Sequence, residues 1–203
     1  MQPFQSYDLR QELYTRSERV KAQVDRISDS DLATKDIEEL CRILCDEAKI
    51  DPVTIDDTVV PKPKCERRKI EKVINPLMSS DGRNHITVDG IVVSFAYPFT
   101  GTGKLFQCRG STCSLVPYPN ISVEGQHVVF KYSFDENDVK QPGWHDKVMA
   151  QAKQDVGSIK RGLVPVNSDV EAANHDFVRT IRSAIIAKKS RIDVLNNAIN
   201  SFA

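Results

Sequence analysis

Apolar residues recur at helical spacing near both ends of the chain and at strand spacing in its middle. Leu9, Leu13, Val20, Val24 and Ile27 follow steps of three, four and seven residues, which predicts a helix over residues 8–27. Asp8 and Gln11 form a candidate capping pair at its start. A polar break at residues 28–30 leads into a second predicted helix over residues 34–49. Its apolar face is Ile37, Leu40, Cys41, Leu44, Cys45 and Ala48, and Pro52 marks where it must already have ended. The two make an N-terminal helical hairpin.

The middle reads differently. Residues 53–63 are extended and proline-marked, and 64–74 fit a strand with one charged face, although the same residues also suit the start of a short helix. Residues 86–88 and 91–97 are β-branched and apolar around Asp89-Gly90, the signal of a two-residue hairpin turn. A glycine-rich turn is expected at 100–104, short strands at 105–108 and 112–116, and a further pair at 120–123 and 126–133 across Glu124-Gly125. Strands joined by tight turns imply an antiparallel sheet.

Beyond Pro142 the helical period returns with Trp144, Val148, Ala152, Val156, Ile159 and Leu163. Val164-Pro165-Val166-Asn167 interrupts it, and Ser168 with Glu171 reads as a capping box for a last long helix. That helix carries the stripe Val170, Ala173, Phe177, Ile181, Ala184, Ile185, Lys188, Ile192, Leu195 and Ile199. A stripe of this length must cover a large surface on its own chain or on another. The expected class is therefore α+β: an antiparallel sheet of about five or six strands, an N-terminal helical hairpin and two long C-terminal helices. The regions are 1–52, 53–140 and 141–203, within one domain overall.

Composition narrows the function classes. The 203 residues include 28 basic and 28 acidic side chains, so the formal charge is zero, and 40% are hydrophobic. That suits a globular chain and argues against a surface built throughout for nucleic acid. No apolar run approaches the roughly 18 residues of a spanning helix, and the start lacks a basic segment followed by an apolar one. With an odd count of five cysteines, this points to reduced thiols and a cytoplasmic setting. Cys41, Cys45, Cys108 and Cys113 have spacings that allow a shared zinc ion. Cys41 and Cys45, however, lie within an apolar stripe, where free cysteine packs as a small hydrophobe, so no metal is expected.

Several motifs resemble chemistry without completing it. Gly101-Thr102-Gly103-Lys104 lacks the first glycine of a phosphate loop, where Pro98 stands, and its magnesium-binding hydroxyl, where Leu105 stands. Asp81 and Asp89 are candidate nuclease carboxylates, but no Glu-x-Lys triplet follows, and Glu71-Lys72 has the wrong spacing. His85, His127, His145 and His175 are scattered, and Ser111 does not sit in a nucleophile elbow. No catalytic residue and no cofactor are expected within these residues. The one concentrated patch is Lys62, Lys64, Arg67, Arg68, Lys69 and Lys72, set against Glu66 and Glu71. On an edge strand Arg67 and Lys69 share one face, with Arg68 and Lys72 opposite. Protection of the edge against sheet pairing is the favoured reading, and a grip on DNA or RNA phosphates is the alternative.

Tyr97-Pro98-Phe99-Thr100-Gly101, Leu105-Phe106, Arg109, Ser111-Thr112, Ser114-Leu115, Pro117, Pro119 and Val129-Phe130-Lys131-Tyr132 form a further pattern. Together with residues 155–185, including Ser168-Asp169-Val170-Glu171-Ala172-Ala173-Asn174, it resembles the N-terminal region of a group of largely uncharacterised prokaryotic proteins. Members of that group continue into a restriction-endonuclease-like domain and look like defence effectors. Gly110 stands where the pattern has proline, and Val164-Pro165-Val166 replaces continuous helix. The resemblance implies a non-catalytic regulatory or recognition module of a nuclease-linked, antiviral system. The long apolar stripe of the last helix and the absence of an assembled catalytic set point to binding of a protein partner, a second copy or the continuation of its own chain through Phe177, Ile181, Ile185, Ile192 and Leu195.

Overall fold

A computed structural model describes residues 1–73, 85–112 and 117–201. Ile74, Asp81, Cys113 and most of the expected 112–116 strand lie outside these residues. In chain order the elements are β1 (Tyr7–Asp8), α1 (Leu9–Arg26), α2 (Asp29–Thr34), α3 (Ile37–Ala48), β2 (Thr54–Ile55), β3 (Lys64–Val73), β4 (His85–Thr100), β5 (Cys108–Arg109), β6 (Ser122–Glu124), β7 (His127–Asp135), α4 (Glu136–Val139) and α5 (Trp144–Asn200). The class is α+β with an antiparallel sheet, N-terminal helices and a long C-terminal helix.

The chain forms two compact units, each made of separate segments. A sheet unit comprises Met1–Pro3, Val53–Gly103 and Ser114–Leu163, and a helical unit comprises Phe4–Pro52, Lys104–Cys113 and Val164–Ala203. These units cut across the expected regions 1–52, 53–140 and 141–203. Residues after 163 belong with the N-terminal helices, not with the sheet.

In the sheet unit the strand order is β2-β4-β7-β6, with β3 also paired to β4, and all pairings are antiparallel. Here the Asp89-Gly90 turn expectation fails, because β4 runs unbroken from His85 to Thr100. Gly90 serves close approach instead of a turn. A Cβ on it would lie 2.6 Å from the Phe134 carbonyl oxygen and 2.7 Å from Ile70 Cδ1. The turn at Gly125 is as expected, with φ of 60°. Alternation along β4 buries Val93, Phe95, Tyr97 and Phe99 on one face. Tyr97 stacks edge-on to Phe130 of β7 at 5.8 Å between ring centres. The expected 105–108 strand is a 3-10 turn over Gly103–Gln107, and only Cys108–Arg109 is extended.

The expected break at Pro165 is also absent, so the two C-terminal helices are one of 57 residues with Pro165 inside it. Ser168, read from sequence as a cap, is an exposed residue within the helix. Its first part buries Val148, Ala152, Val156, Ile159 and Leu163 in the sheet unit, as the period predicts.

In the helical unit β1 and β5 pair in parallel. Val20, Val24, Leu32, Leu40, Cys41, Leu44 and Ala48 form one core with Phe177, Ile181 and Ile185 of α5. Asp8 caps α1 by accepting from the Arg10 amide at 2.9 Å, while Gln11 is not its partner. The open carbonyls at the end of α1 are met by Lys188, whose Nζ reaches the oxygens of Val24, Asp25 and Ile27. Asn174 brackets Ile50, accepting from its amide at 3.1 Å and donating to its carbonyl at 2.8 Å.

Candidate functional site

Most of the basic segment becomes the edge strand β3, and its alternation sorts five of the six cations. Lys64 and Arg68 share a face and both pair with Glu66, at 2.7 and 2.9 Å. The hydrogen bond from Lys64 is the main reason the Glu66 carboxyl lies below its ordinary range. Lys72 pairs with Asp135 at the end of β7. Asp135 also accepts the Asn137 and Asp138 amides at 2.9 Å, closing a capping box for α4. Led by the Lys72 hydrogen bond, these contacts hold the Asp135 carboxyl down to about 2 and push Lys72 up.

Arg67 and Lys69 project from the opposite face. Neither forms an ion pair among the described residues, nor does Lys62, which precedes the strand. The register places Arg67 opposite Ile91 and Ile91 opposite Phe134, so the three form one row across β3, β4 and β7. Arg67, Lys69, Ile91 and Phe134 line an open cleft of about 820 Å³ that also includes Arg68, Asp89, Asp135 and Glu136. Two of these carboxylates are committed, Asp135 to Lys72 and Glu136 to Lys140 at 2.5 Å. Beyond Phe134 a second hollow of about 260 Å³ is lined by Tyr132, Trp144, Lys147 and Gln151. The Phe134 and Trp144 rings meet edge to face at 5.7 Å between centres. Neither aromatic was marked as functional by the sequence, because the register that aligns Phe134 with Arg67 spans three strands and Trp144 joins them only through its ring contact with Phe134.

The partner-binding residues divide. Phe177, Ile181 and Ile185 are 4%, 0% and 0% exposed, so they belong to the core of their own unit and their assignment as a partner surface is corrected. Ile192 packs against that core in part. Leu195 and Ile199 are 57% and 68% exposed. The stripe thus outruns the core that its own unit provides.

The rejected motifs have structural employment. Lys104 pairs with Glu12 at 2.9 Å and sits over the Tyr7 ring. Ser111 donates its amide and its hydroxyl to the two carboxylate oxygens of Asp169, at 2.6 and 2.7 Å, which fastens the loop to α5. Cys41 and Cys108 are buried and Cys45 partly so, and burial pushes all three thiols up. Among the described residues, no three His, Cys, Asp or Glu side chains are grouped to hold a metal ion. His85, His127, His145 and His175 are exposed and spread over β4, β7 and α5. No described helix is long and apolar enough to cross a membrane. Comparison with protein-family models, curated proteins and solved structures returns no match.

Proposed function

We propose that this protein is a non-catalytic recognition module of a prokaryotic nuclease-linked, antiviral system, acting through protein–protein contact at the end of α5. The observation that carries this reading is the uncovered continuation of the α5 stripe. Ile192, Leu195 and Ile199 follow the three-and-four spacing by which one helix meets another, and the last two project into solvent. The fitting occupant is the same seam of a second copy. Sedimentation velocity across a wide concentration range tests this. A larger species that is lost in the Leu195→Asp/Ile199→Asp variant supports it, and a monomer throughout contradicts it.

A second reading rests on a separate observation. Arg67 and Lys69 stand unpaired on one face of β3 while Lys64, Arg68 and Lys72 are neutralised on the other. Edge protection alone needs no such sorting, whereas a phosphate-binding strand needs free cations on one side. The test is anisotropy of a labelled oligonucleotide at two salt concentrations. Binding that weakens with salt, and that fails in Arg67→Glu/Lys69→Glu, supports nucleic-acid contact.

A further inference from the structure

The row Arg67–Ile91–Phe134 leads from the free cations of β3 onto the aromatic pair Phe134 and Trp144. Two strand spacings, roughly 10 Å, separate the Arg67 and Phe134 backbones, so both side chains line one cleft. The two hollows share the Phe134 ring as a common wall, one with Arg67 and Lys69 at its rim and the other with Trp144 and Lys147. Phe134 and Trp144 are both half-buried, so each ring is fixed by its surroundings while part of it stays open.

Counting only charges outside ion pairs, Arg67, Lys69 and Lys147 face Asp89 and Asp138, because Asp135, Glu136, Arg68 and Lys140 are already paired. A track that alternates free cations with ring faces is the chemistry of single-stranded polynucleotide binding. The cations neutralise phosphates, and the rings take unstacked bases without regard to sequence. A duplex keeps its bases stacked and cannot use the rings.

We propose that this track of the sheet unit binds a single-stranded polynucleotide, with phosphates at Arg67, Lys69 and Lys147 and a base against Phe134 and Trp144. The proposal rests on the nucleic-acid reading of β3 and adds the strandedness, the stacking residues and a cation on α5. None of the groups it uses reads the sugar, so DNA and RNA strands are expected to bind alike.

Trp144 is the only tryptophan of the chain, so its fluorescence reports the site directly. Short oligothymidylate and oligouridylate are titrated into the intact protein while Trp144 emission and the anisotropy of a labelled strand are followed together. The expected result is quenching that tracks binding, affinities for the two strands within about threefold, and a slope of log K against log salt of about −2 for three neutralised phosphates. Phe134→Leu should weaken binding at least about fivefold through lost stacking, and Lys147→Glu should reduce the salt slope. Arg67→Glu/Lys69→Glu, on exposed positions that leave the fold intact by circular dichroism, should weaken it about tenfold or more. If the labelled strand binds in an Arg67- and Lys69-dependent way without quenching, without response to Phe134→Leu, and no better than duplex, the stacking track is overturned while the basic-strand reading stands. A strong preference for one sugar overturns the sugar-blind grip. No binding at low salt overturns both.

Discussion

The hydroxyl of Tyr132 donates to Asp155 Oδ2 at 2.7 Å, tying strand β7 to the first part of α5 inside the sheet unit. Asp155 is one of two buried carboxylates among the described residues, and Gln151 satisfies its other oxygen at 2.8 Å. Removing the phenol leaves one carboxylate oxygen buried without its donor. Tyr132→Phe is expected to cost about 1–3 kcal/mol, read by urea denaturation.

The same contact sets an alkaline limit. Burial first, and then the hydrogen bond to Asp155, push the Tyr132 phenol well above its ordinary value of 10.0. A group whose folded pKa is raised contributes stability that is complete below its unfolded pKa and is lost as pH rises beyond it. Melting temperature is therefore expected to fall from about pH 10 upward, and to fall less steeply in Tyr132→Phe.

Asp135 gives the opposite dependence. Its carboxyl is held down to about 2 against an ordinary value of 3.8. A lowered pKa contributes stability that is present above the unfolded value and lost as pH falls toward the folded one. Denaturation curves between these two values should show the wild type losing stability with acid, and both Asp135→Asn and Lys72→Met should flatten that loss.

Glycine substitutions separate close packing from turn geometry. At Gly90 a methyl group meets a backbone oxygen at 2.6 Å, whereas at Gly125 nothing lies within 4 Å and only the positive φ opposes it. Gly125→Ala should cost about 1–2 kcal/mol and Gly90→Ala more, with thermal melts giving that order. The reverse order would contradict the close approach assigned to Gly90.

The division of the α5 stripe is tested the same way. Ile181 is 0% exposed and Leu195 is 57% exposed. Ile181→Ala is expected to cost about 2–5 kcal/mol, and Leu195→Ala to stay within about 0.5 kcal/mol, as measured by denaturation of dilute protein.

Periodicity carried the helices α1 and α3, the buried face of α5 and the Gly125 turn, because each follows from spacing over a few residues. The sequence misled where a local signal met a tertiary demand. Gly90 looked like a hairpin glycine but is needed for the approach of β7 and Ile70. Pro165 and the Ser168–Glu171 pair looked like a stop and a start, yet α5 runs through them. The basic run was visible as six cations. Its sorting into a paired face and a free face depends on Glu66 and Asp135, the second of which lies far away in sequence. Phe134 and Trp144 gave no signal of a shared site, since the alignment of Phe134 with Arg67 exists only in the register and its contact with Trp144 only in the fold.

Hydrogen exchange along α5, measured by mass spectrometry at low and high protein concentration, addresses the recognition role most directly. The amides near Leu195 and Ile199 should exchange fast in dilute protein and become protected as it is concentrated, and the Leu195→Asp/Ile199→Asp variant should show no such gain. Exchange in these turns that is equally fast at every concentration, in wild type and variant alike, would contradict the proposed contact.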